Sequence, residues 1–122
     1  MSNSVGWFEI YVEDMDRAKA FYETVFDVQL TKLEGVDIEM LAFPMQPEAS
    51  GAPGALVRMP GFASGANSVI VYFSCADCGV EAATAREAGG RIDREKMSIG
   101  QYGFIALVVD TEGNMIGLHS MQ

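Results

Sequence analysis

The feature that most constrains the fold is an internal repeat of about 60 residues. Each copy shows the pattern of one strand, one helix and then three strands. Asp14 and Asp77 occupy equivalent positions, since each follows an apolar stretch and opens a helical one. A unit this small cannot bury both faces of its sheet alone. We therefore expect two units that pack together, within one chain or across a dimer.

The first unit begins with residues 5–12, VGWFEIYV, an aromatic and β-branched stretch typical of a strand. Asp14 then stands where its side chain can accept backbone N–H bonds of a first helical turn. The following residues place apolar side chains on one helix face: Ala18, Phe21, Tyr22, Val25 and Phe26. We predict the remaining elements as strands over 28–33, 38–43 and 55–59, with a loop over 45–54.

After a linker over 61–67, the second unit repeats this order. We predict a helix over 78–88 that Gly89 and Gly90 terminate, because glycine adopts the left-handed conformation at low cost. Its strands are predicted over 68–74, 91–95, 102–109 and 115–120, with a hairpin turn in which Gly113 and Asn114 take positive φ.

These patterns predict the α+β class. Two βαβββ modules, 1–60 and 68–122, would pack as a curled mixed sheet around a cleft, with the helices outside, and form a single domain. The chain carries 8 Lys and Arg against 17 Asp and Glu, a net charge of -9. Such a surface repels phosphate backbones and anionic lipids, so we expect no nucleic-acid or membrane partner.

No apolar run reaches the roughly 20 residues of a membrane-spanning helix, and the first residues show no secretory signal. With only two cysteines, Cys75 and Cys78, a disulfide framework is not expected. Both observations favour a cytoplasmic location.

Four segments carry a resemblance to a known family: WFEIYVEDMDRAKAFYETVF, GALV, VYFSCAD and GFIALVVDTEGNMIGLHS. They resemble the vicinal oxygen chelate superfamily, which includes glyoxalase I, bleomycin-resistance proteins and extradiol dioxygenases. The resemblance covers nearly the whole chain and implies the paired βαβββ architecture. It does not imply one activity, because members include lyases, isomerases, oxygenases and binding proteins.

Metal-using members place ligands in the first and last strands of each module, on the cleft face. By this resemblance the corresponding positions are Trp7, Ile70, Gly117 and a residue within 54–56. None of these side chains can coordinate a divalent cation, which needs carboxylate, imidazole or thiolate donors. We therefore predict no metal and no other cofactor at the family site.

Strand alternation brings other side chains to the cleft face. Glu9 and Tyr11 accompany Trp7, Tyr72 and Ser74 accompany Ile70, and His119 accompanies Gly117. Glu9 and His119 could act as a general acid/base pair or hold a metal weakly with water. In the alternative, they bond to each other or to the backbone.

Two further motifs have competing interpretations. Arg58 either points inward, where it could bind a substrate carboxylate, or outward as a solvated charge. The Cys75–Cys78 pair stands at a strand-to-helix junction, where a thiolate can be stabilised. Alternation instead predicts Cys75 beneath the helix, where thiols behave as inert small hydrophobes.

Three functions follow from these observations. The first is a metal-free protein that binds a small, partly apolar molecule. Its predicted ligand contacts are Trp7, Tyr11, Arg58, Ile70, Tyr72, Ser74 and Gly117. The second is a metal-dependent lyase or dioxygenase with an atypical site that uses Glu9 and His119. The third is an accessory or regulatory subunit. We expect a homodimer in each case, because an open cleft leaves sheet edges for a twofold partner to cover.

Overall fold

The structure is a computed structural model that describes residues 5–35, 37–45 and 51–122. No helix in this part of the chain is long and apolar enough to cross a membrane. Its elements in chain order are β1 (Phe8–Tyr11), α1 (Met15–Phe26), β2 (Thr31–Lys32), β3 (Glu39–Ala42), β4 (Gly54–Arg58), β5 (Tyr72–Ser74), α2 (Cys78–Glu87), β6 (Arg91–Ser98), a 3-10 turn (Gly100–Tyr102), β7 (Phe104–Val109) and β8 (Met115–Ser120).

The strands form two four-stranded sheets of identical topology. The first has the order β1-β4-β3-β2 and the second the order β5-β8-β7-β6. In each sheet the first and last strands of the module pair in parallel and the others pair antiparallel. The predicted α+β class and two-module architecture are confirmed.

Several strands differ in length from the sequence prediction. The stretches 28–33 and 68–74 contribute only Thr31–Lys32 and Tyr72–Ser74, because ladder pairing with the neighbouring strand begins at Thr31 and at Tyr72. β6 instead runs on to Ser98. In the β7–β8 turn Gly113 has φ +84° as predicted, but Asn114 does not adopt positive φ. Residues 46–50 of the predicted loop lie outside the described residues.

Both helices begin where the sequence predicts, and α2 ends at the predicted glycines. Asp14 Oδ1 accepts the Arg17 N–H at 3.1 Å, and Asp77 Oδ1 accepts the Gly79 N–H at 3.0 Å. Each bond satisfies a backbone donor that the first helical turn cannot use internally. After α2, Gly89 takes φ +104°, in agreement with the predicted glycine stop.

One hydrophobic core joins the two modules. Its buried members come from both helices and from the sheet faces beneath them, including Ile10, Leu56, Phe21, Ala85 and Leu118. α1 and α2 therefore lie on the same side of the sheets.

Aromatic rings join the modules where Phe8 of β1 approaches Phe73 of β5, a place that we call the seam. Phe73 of β5 stacks on Phe26 with 4.4 Å between ring centroids, and its ring lies 5.6 Å from Phe43 and 6.3 Å from Phe8. Three of these rings belong to the first module. Such ring pairs contribute about 0.5–1.5 kcal/mol each beyond simple burial.

A buried carboxylate reinforces the junction. Glu112, in the β7–β8 turn, accepts backbone N–H bonds from Glu13 and Asp14 at 2.9 and 2.8 Å. Arg17 binds it with two nitrogens, at 2.6 and 2.9 Å, and Thr111 Oγ1 donates at 3.0 Å. Burial raises the pKa of Glu112, but these hydrogen bonds outweigh that effect and lower the pKa to about 2.

A second buried carboxylate orders the same turn. Asp110 Oδ2 accepts the Tyr22 hydroxyl at 2.6 Å, and Oδ1 accepts the backbone N–H groups of Glu112 and Asn114 at 2.8 Å each. Burial raises the pKa of Asp110, although these bonds oppose the increase. The Asn114 amide donates in turn to the Tyr11 carbonyl at 2.8 Å. The turn of the second module is thus bonded to both β1 and α1.

We predict that Glu112→Gln lowers the free energy of unfolding by about 2 kcal/mol at pH 7. The pKa of Glu112 is depressed on folding, so its contribution is complete above the unfolded pKa near 4.5 and is lost as the pH falls towards 2. Urea unfolding between pH 7 and pH 2.5 should show the difference from wild type narrowing over this interval. The exposed Glu87→Gln is the control, and equal losses for both variants would contradict the assignment.

Candidate functional site

Each sheet has one face covered by the helices and an opposite face, which we call the open face. On the first sheet Glu9 lies beside Ala55, and Tyr11 beside Val57, on the open face. On the second sheet Tyr72 lies beside Gly117, and Ser74 beside His119. The structure therefore places Glu9, Tyr11, Tyr72, Ser74, Gly117 and His119 on the open faces, as strand alternation indicated.

The strand register identifies the residues at the metal positions of the family. Ala55 is the open-face residue of β4, whereas Gly54 and Leu56 pair with Phe8 and Ile10 and face the helices. The four positions are therefore Trp7, Ala55, Ile70 and Gly117. Of these side chains only Trp7 carries a heteroatom, and its indole N–H is a hydrogen-bond donor that has no lone pair for a metal. This donor set does not fit a divalent ion.

The wider surroundings do not supply a donor set either. Within residues 5–35, 37–45 and 51–122, no three His, Cys, Asp or Glu side chains come together in a group that could hold a metal. Two protein ligands alone are fewer than the three that catalytic zinc sites use. We therefore derive no metal-dependent step from this site.

Glu9 is fixed by its two neighbours on the same strand. Trp7 Nε1 donates to Oε2 at 3.1 Å, and the Tyr11 hydroxyl donates to Oε1 at 2.6 Å. The hydrogen bond to Glu9 is the main reason that the pKa of Tyr11 is raised. Tyr11 also stacks on Phe62 of the linker with 5.1 Å between centroids. The carboxylate is therefore oriented at the boundary between aromatic rings and solvent.

The structure does not join His119 to Glu9. The His119 Nε2 atom lies 2.7 Å from the Tyr102 carbonyl oxygen, at hydrogen-bond distance. The Glu9 carboxylate is bonded to Trp7 and Tyr11 instead, and no hydrogen bond links the two groups among the described residues. An acid/base pair needs both groups within reach of one substrate atom. This geometry supports the alternative in which His119 bonds to the backbone.

A cavity of about 780 Å³ opens at the seam. Its walls are largely apolar, and the polar side chains among them are those of Glu9 and Ser74, with the Tyr72 hydroxyl and the Trp7 N–H. Cavities of roughly 300–1,000 Å³ with a few polar groups are typical of small-molecule sites. The lining residues are Val5, Trp7, Phe8, Glu9, Phe43, Gly51, Ala52, Val69, Ile70, Val71, Tyr72, Phe73 and Ser74.

Large apolar side chains at this cavity are exposed to solvent. Trp7 and Ile70 are each 38% exposed and Tyr72 is 48% exposed. The Tyr72 ring lies over Gly117, where a Cβ atom would approach within 2.3 Å of it. The missing side chain of Gly117 therefore allows the tyrosine to lie flat on the sheet.

Arg58 lies neither on an open face nor among the residues that line the seam cavity. It shares the helix-side face with Leu56, is exposed, and donates from Nε to the Glu13 carbonyl at 3.0 Å. Glu39 is its cross-strand neighbour on β3. The structure therefore corresponds to the outward alternative, and we do not include Arg58 among the proposed ligand contacts.

Sequence reasoning missed part of the cavity wall. Phe8, Phe43 and Phe73 belong to the helix-side face by alternation, yet they reach the cavity where the seam opens. No local pattern indicates this, because the wall depends on how two separate sheets meet. The internal repeat offered the only signal, since it implied that such a junction exists.

The two cysteines have the environment of inert thiols. Cys78 is buried and Cys75 is half-buried. Burial, together with the nearby Glu81 carboxylate, raises the pKa of Cys75 to about 12. A thiol with this pKa carries almost no thiolate at neutral pH, and the thiolate is the reactive form.

We predict that the folded protein reacts with 5,5′-dithiobis(2-nitrobenzoate) at pH 8 at least about 100-fold more slowly than the urea-unfolded chain. The unfolded chain is the internal control, because it exposes both thiols with ordinary pKa values. Rapid modification of the folded protein, or ready formation of a Cys75–Cys78 disulfide, would contradict this assignment.

Solved structures with the same fold include proteins of different activity. TnmS3, an antibiotic binding protein from Streptomyces sp. CB03234, is 26% identical, with a TM-score of 0.68 over 98% of each chain. A glyoxalase-related enzyme from Fulvimarina pelagi is 15% identical, with a TM-score of 0.74 over 98% of this chain and 88% of that one. A glyoxalase I mutant from Zea mays is 21% identical, with a TM-score of 0.73 over 95% of this chain and 45% of that one.

No curated protein sequence matches the chain significantly. The sequence model of one family matches residues 4–118, nearly the whole chain. This match includes β1, β4 and β5 and the part of β8 up to Leu118, so that His119 lies just beyond it. The chain therefore belongs to the Glyoxalase/Bleomycin resistance protein/Dioxygenase superfamily.

Proposed function

We propose that the protein binds a small, partly apolar molecule in the seam cavity and does so without a metal. The observation that carries this proposal is the cavity itself, whose aromatic walls surround positions at which metal-using relatives carry ligands. Trp7 and Ile70 add apolar surface there instead of coordinating atoms. The similarity to an antibiotic binding protein supports a role in binding.

The exposed apolar side chains at the cavity supply the driving force for ligand binding. Covering the exposed parts of Trp7, Ile70 and Tyr72 with a ligand removes apolar surface from water, which is worth roughly 25 cal/mol per Å². The Glu9 carboxylate is oriented by Trp7 and Tyr11, so it would set the orientation of a ligand with a hydrogen-bond donor. This division between apolar contact area and a few polar groups is typical of small-molecule sites.

N-phenyl-1-naphthylamine, a neutral fluorescent probe, should bind the protein and quench the fluorescence of Trp7, the single tryptophan of the chain. We predict that Tyr72→Leu weakens this binding about tenfold, the equivalent of ~1.4 kcal/mol. Tyr102→Leu is the matched control, because Tyr102 is also an exposed tyrosine, at 66%, and does not line the seam cavity. Absence of probe binding, or equal effects of the two variants, would contradict the proposal.

The metal-free part of the proposal has a separate readout. Thermal unfolding should be unchanged by nickel, zinc, manganese or iron, whereas a ligand at a hundred times its Kd adds about 2.7 kcal/mol of stability. A tight stoichiometric metal that raises the Tm would contradict metal-free binding and favour an atypical metal-dependent enzyme.

We also propose a homodimer and, because the two cysteines Cys75 and Cys78 are both free thiols, a cytoplasmic location. The support for a dimer is the apolar surface at the seam cavity, where the lining residues Val5 and Val69 are 62% and 71% exposed. Large exposed apolar patches are commonly interaction sites.

Gel filtration with light scattering should give a mass of about twice 13.2 kDa. We predict that Val69→Lys shifts the mass towards one chain, because an ammonium group at a contact between copies is costly to bury. Val80→Lys is the control, because Val80 is 60% exposed on α2, away from the seam. A mass near 13.2 kDa for wild type would contradict the dimer.

A further inference from the structure

We propose that the ligand is an anionic one, an elongated apolar molecule with a carboxylate or similar acid group at one end, and that Arg94 binds that group. This inference rests on the proposed function, because it names the ligand class for the same site. It comes from a feature that the binding proposal does not use, the irregular course of the edge strand β6.

Two bulges turn Arg94 towards the open face. The register between β6 and β7 shifts between Ile92 and Arg94 and again between Arg94 and Met97. Regular alternation would place Arg94 on the same face as Lys96. Lys96, however, is on the helix side, where its Nζ atom lies 2.8 Å from Asp77 Oδ1 and 4.8 Å from the centre of the Phe104 ring.

The register places Arg94 in a row across the open face. Arg94 lies opposite Leu107, which pairs with Gly117, which pairs with Tyr72. Contact between the Arg94 guanidinium and the Met97 sulfur, at 3.6 Å, agrees with both side chains being on one face. Bulges commonly re-aim a side chain beside a functional site.

The length of this row matches that of a small-molecule ligand. Its ends, Arg94 and Tyr72, are separated by three strand spacings, roughly 14 Å. Leu107 lies between them, and the Tyr72 ring covers the backbone of Gly117, so that this part of the row is a low apolar floor. A molecule of two or three fused or linked rings fits this length, with its apolar end against Tyr72 and its acid group at Arg94.

Arg94 is also the cation that is available for such a group. No carboxylate lies within ion-pair distance of it among the described residues, whereas the nearby Arg91 is 3.6 Å from Asp93. Glu95, the next residue in the chain, is exposed. In a protein of net charge -9, an acid binds only where a local cation offsets the overall repulsion. A guanidinium does so with two parallel N–H donors to one carboxylate.

A matched pair of probes separates the acid group from the apolar body. 1-anilinonaphthalene-8-sulfonate is N-phenyl-1-naphthylamine with one added sulfonate, and it should displace the neutral probe from the wild-type protein. Arg94→Gln should weaken binding of the sulfonated probe about tenfold and change binding of the neutral probe less than twofold. Arg94→Lys should bind the sulfonated probe more tightly than Arg94→Gln does, because lysine keeps the positive charge. It should bind more weakly than wild type, because lysine lacks the two parallel N–H donors of the guanidinium.

Arg86→Gln is the control for net charge, because it removes one exposed cation on α2 without altering the open face. The role of Arg94 would be overturned if Arg94→Gln weakened the binding of both probes equally. It would also be overturned if Arg94→Gln and Arg86→Gln weakened the binding of the sulfonated probe equally. Unchanged binding of the sulfonated probe would overturn it as well. If neither probe binds wild type, the proposed function itself fails, which is a different outcome from the loss of acid recognition alone.

Discussion

The carboxylate of Glu112 determines how the two modules meet. It is a turn residue of the second module, yet four of its five hydrogen-bond donors belong to the β1–α1 junction of the first. An unpaired buried carboxylate costs several kcal/mol, so this arrangement is stable only with the modules in one relative position. The aromatic rings around Phe73 contribute contact area, whereas the bonds to Glu112 require a defined geometry.

The seam cavity is a consequence of that geometry. Phe8 of β1 packs against Phe73 of β5, yet the two strands belong to separate sheets and share no ladder in the described part of the chain. Phe8 and Phe73 then face both the core and the cavity. The same contacts that stabilise the fold therefore build the apolar wall of the proposed binding site, and a ligand would extend an existing hydrophobic cluster.

Much of this could be predicted from the sequence because it depends on local periodicity. The caps at Asp14 and Asp77, the α1 face and the alternation that places Tyr72 and Gly117 on one side all repeat at fixed spacing. The direction of Arg94 could not be predicted, since a bulge reverses alternation and leaves no mark in residue type. The cavity wall at Phe43 could not either, because it depends on contacts between residues far apart in the chain.

The repeat also shows why the two open faces are not equivalent. On the first sheet, Met40, Ala55 and Val57 are buried beneath other apolar side chains, so that face is largely closed. On the second sheet, Tyr72, Met97 and Arg94 are exposed. The two copies of the βαβββ unit therefore differ: the open face of the first is largely buried by packing, whereas that of the second is accessible to solvent. An elongated ligand would therefore extend from the seam onto the second sheet, in the direction of Arg94.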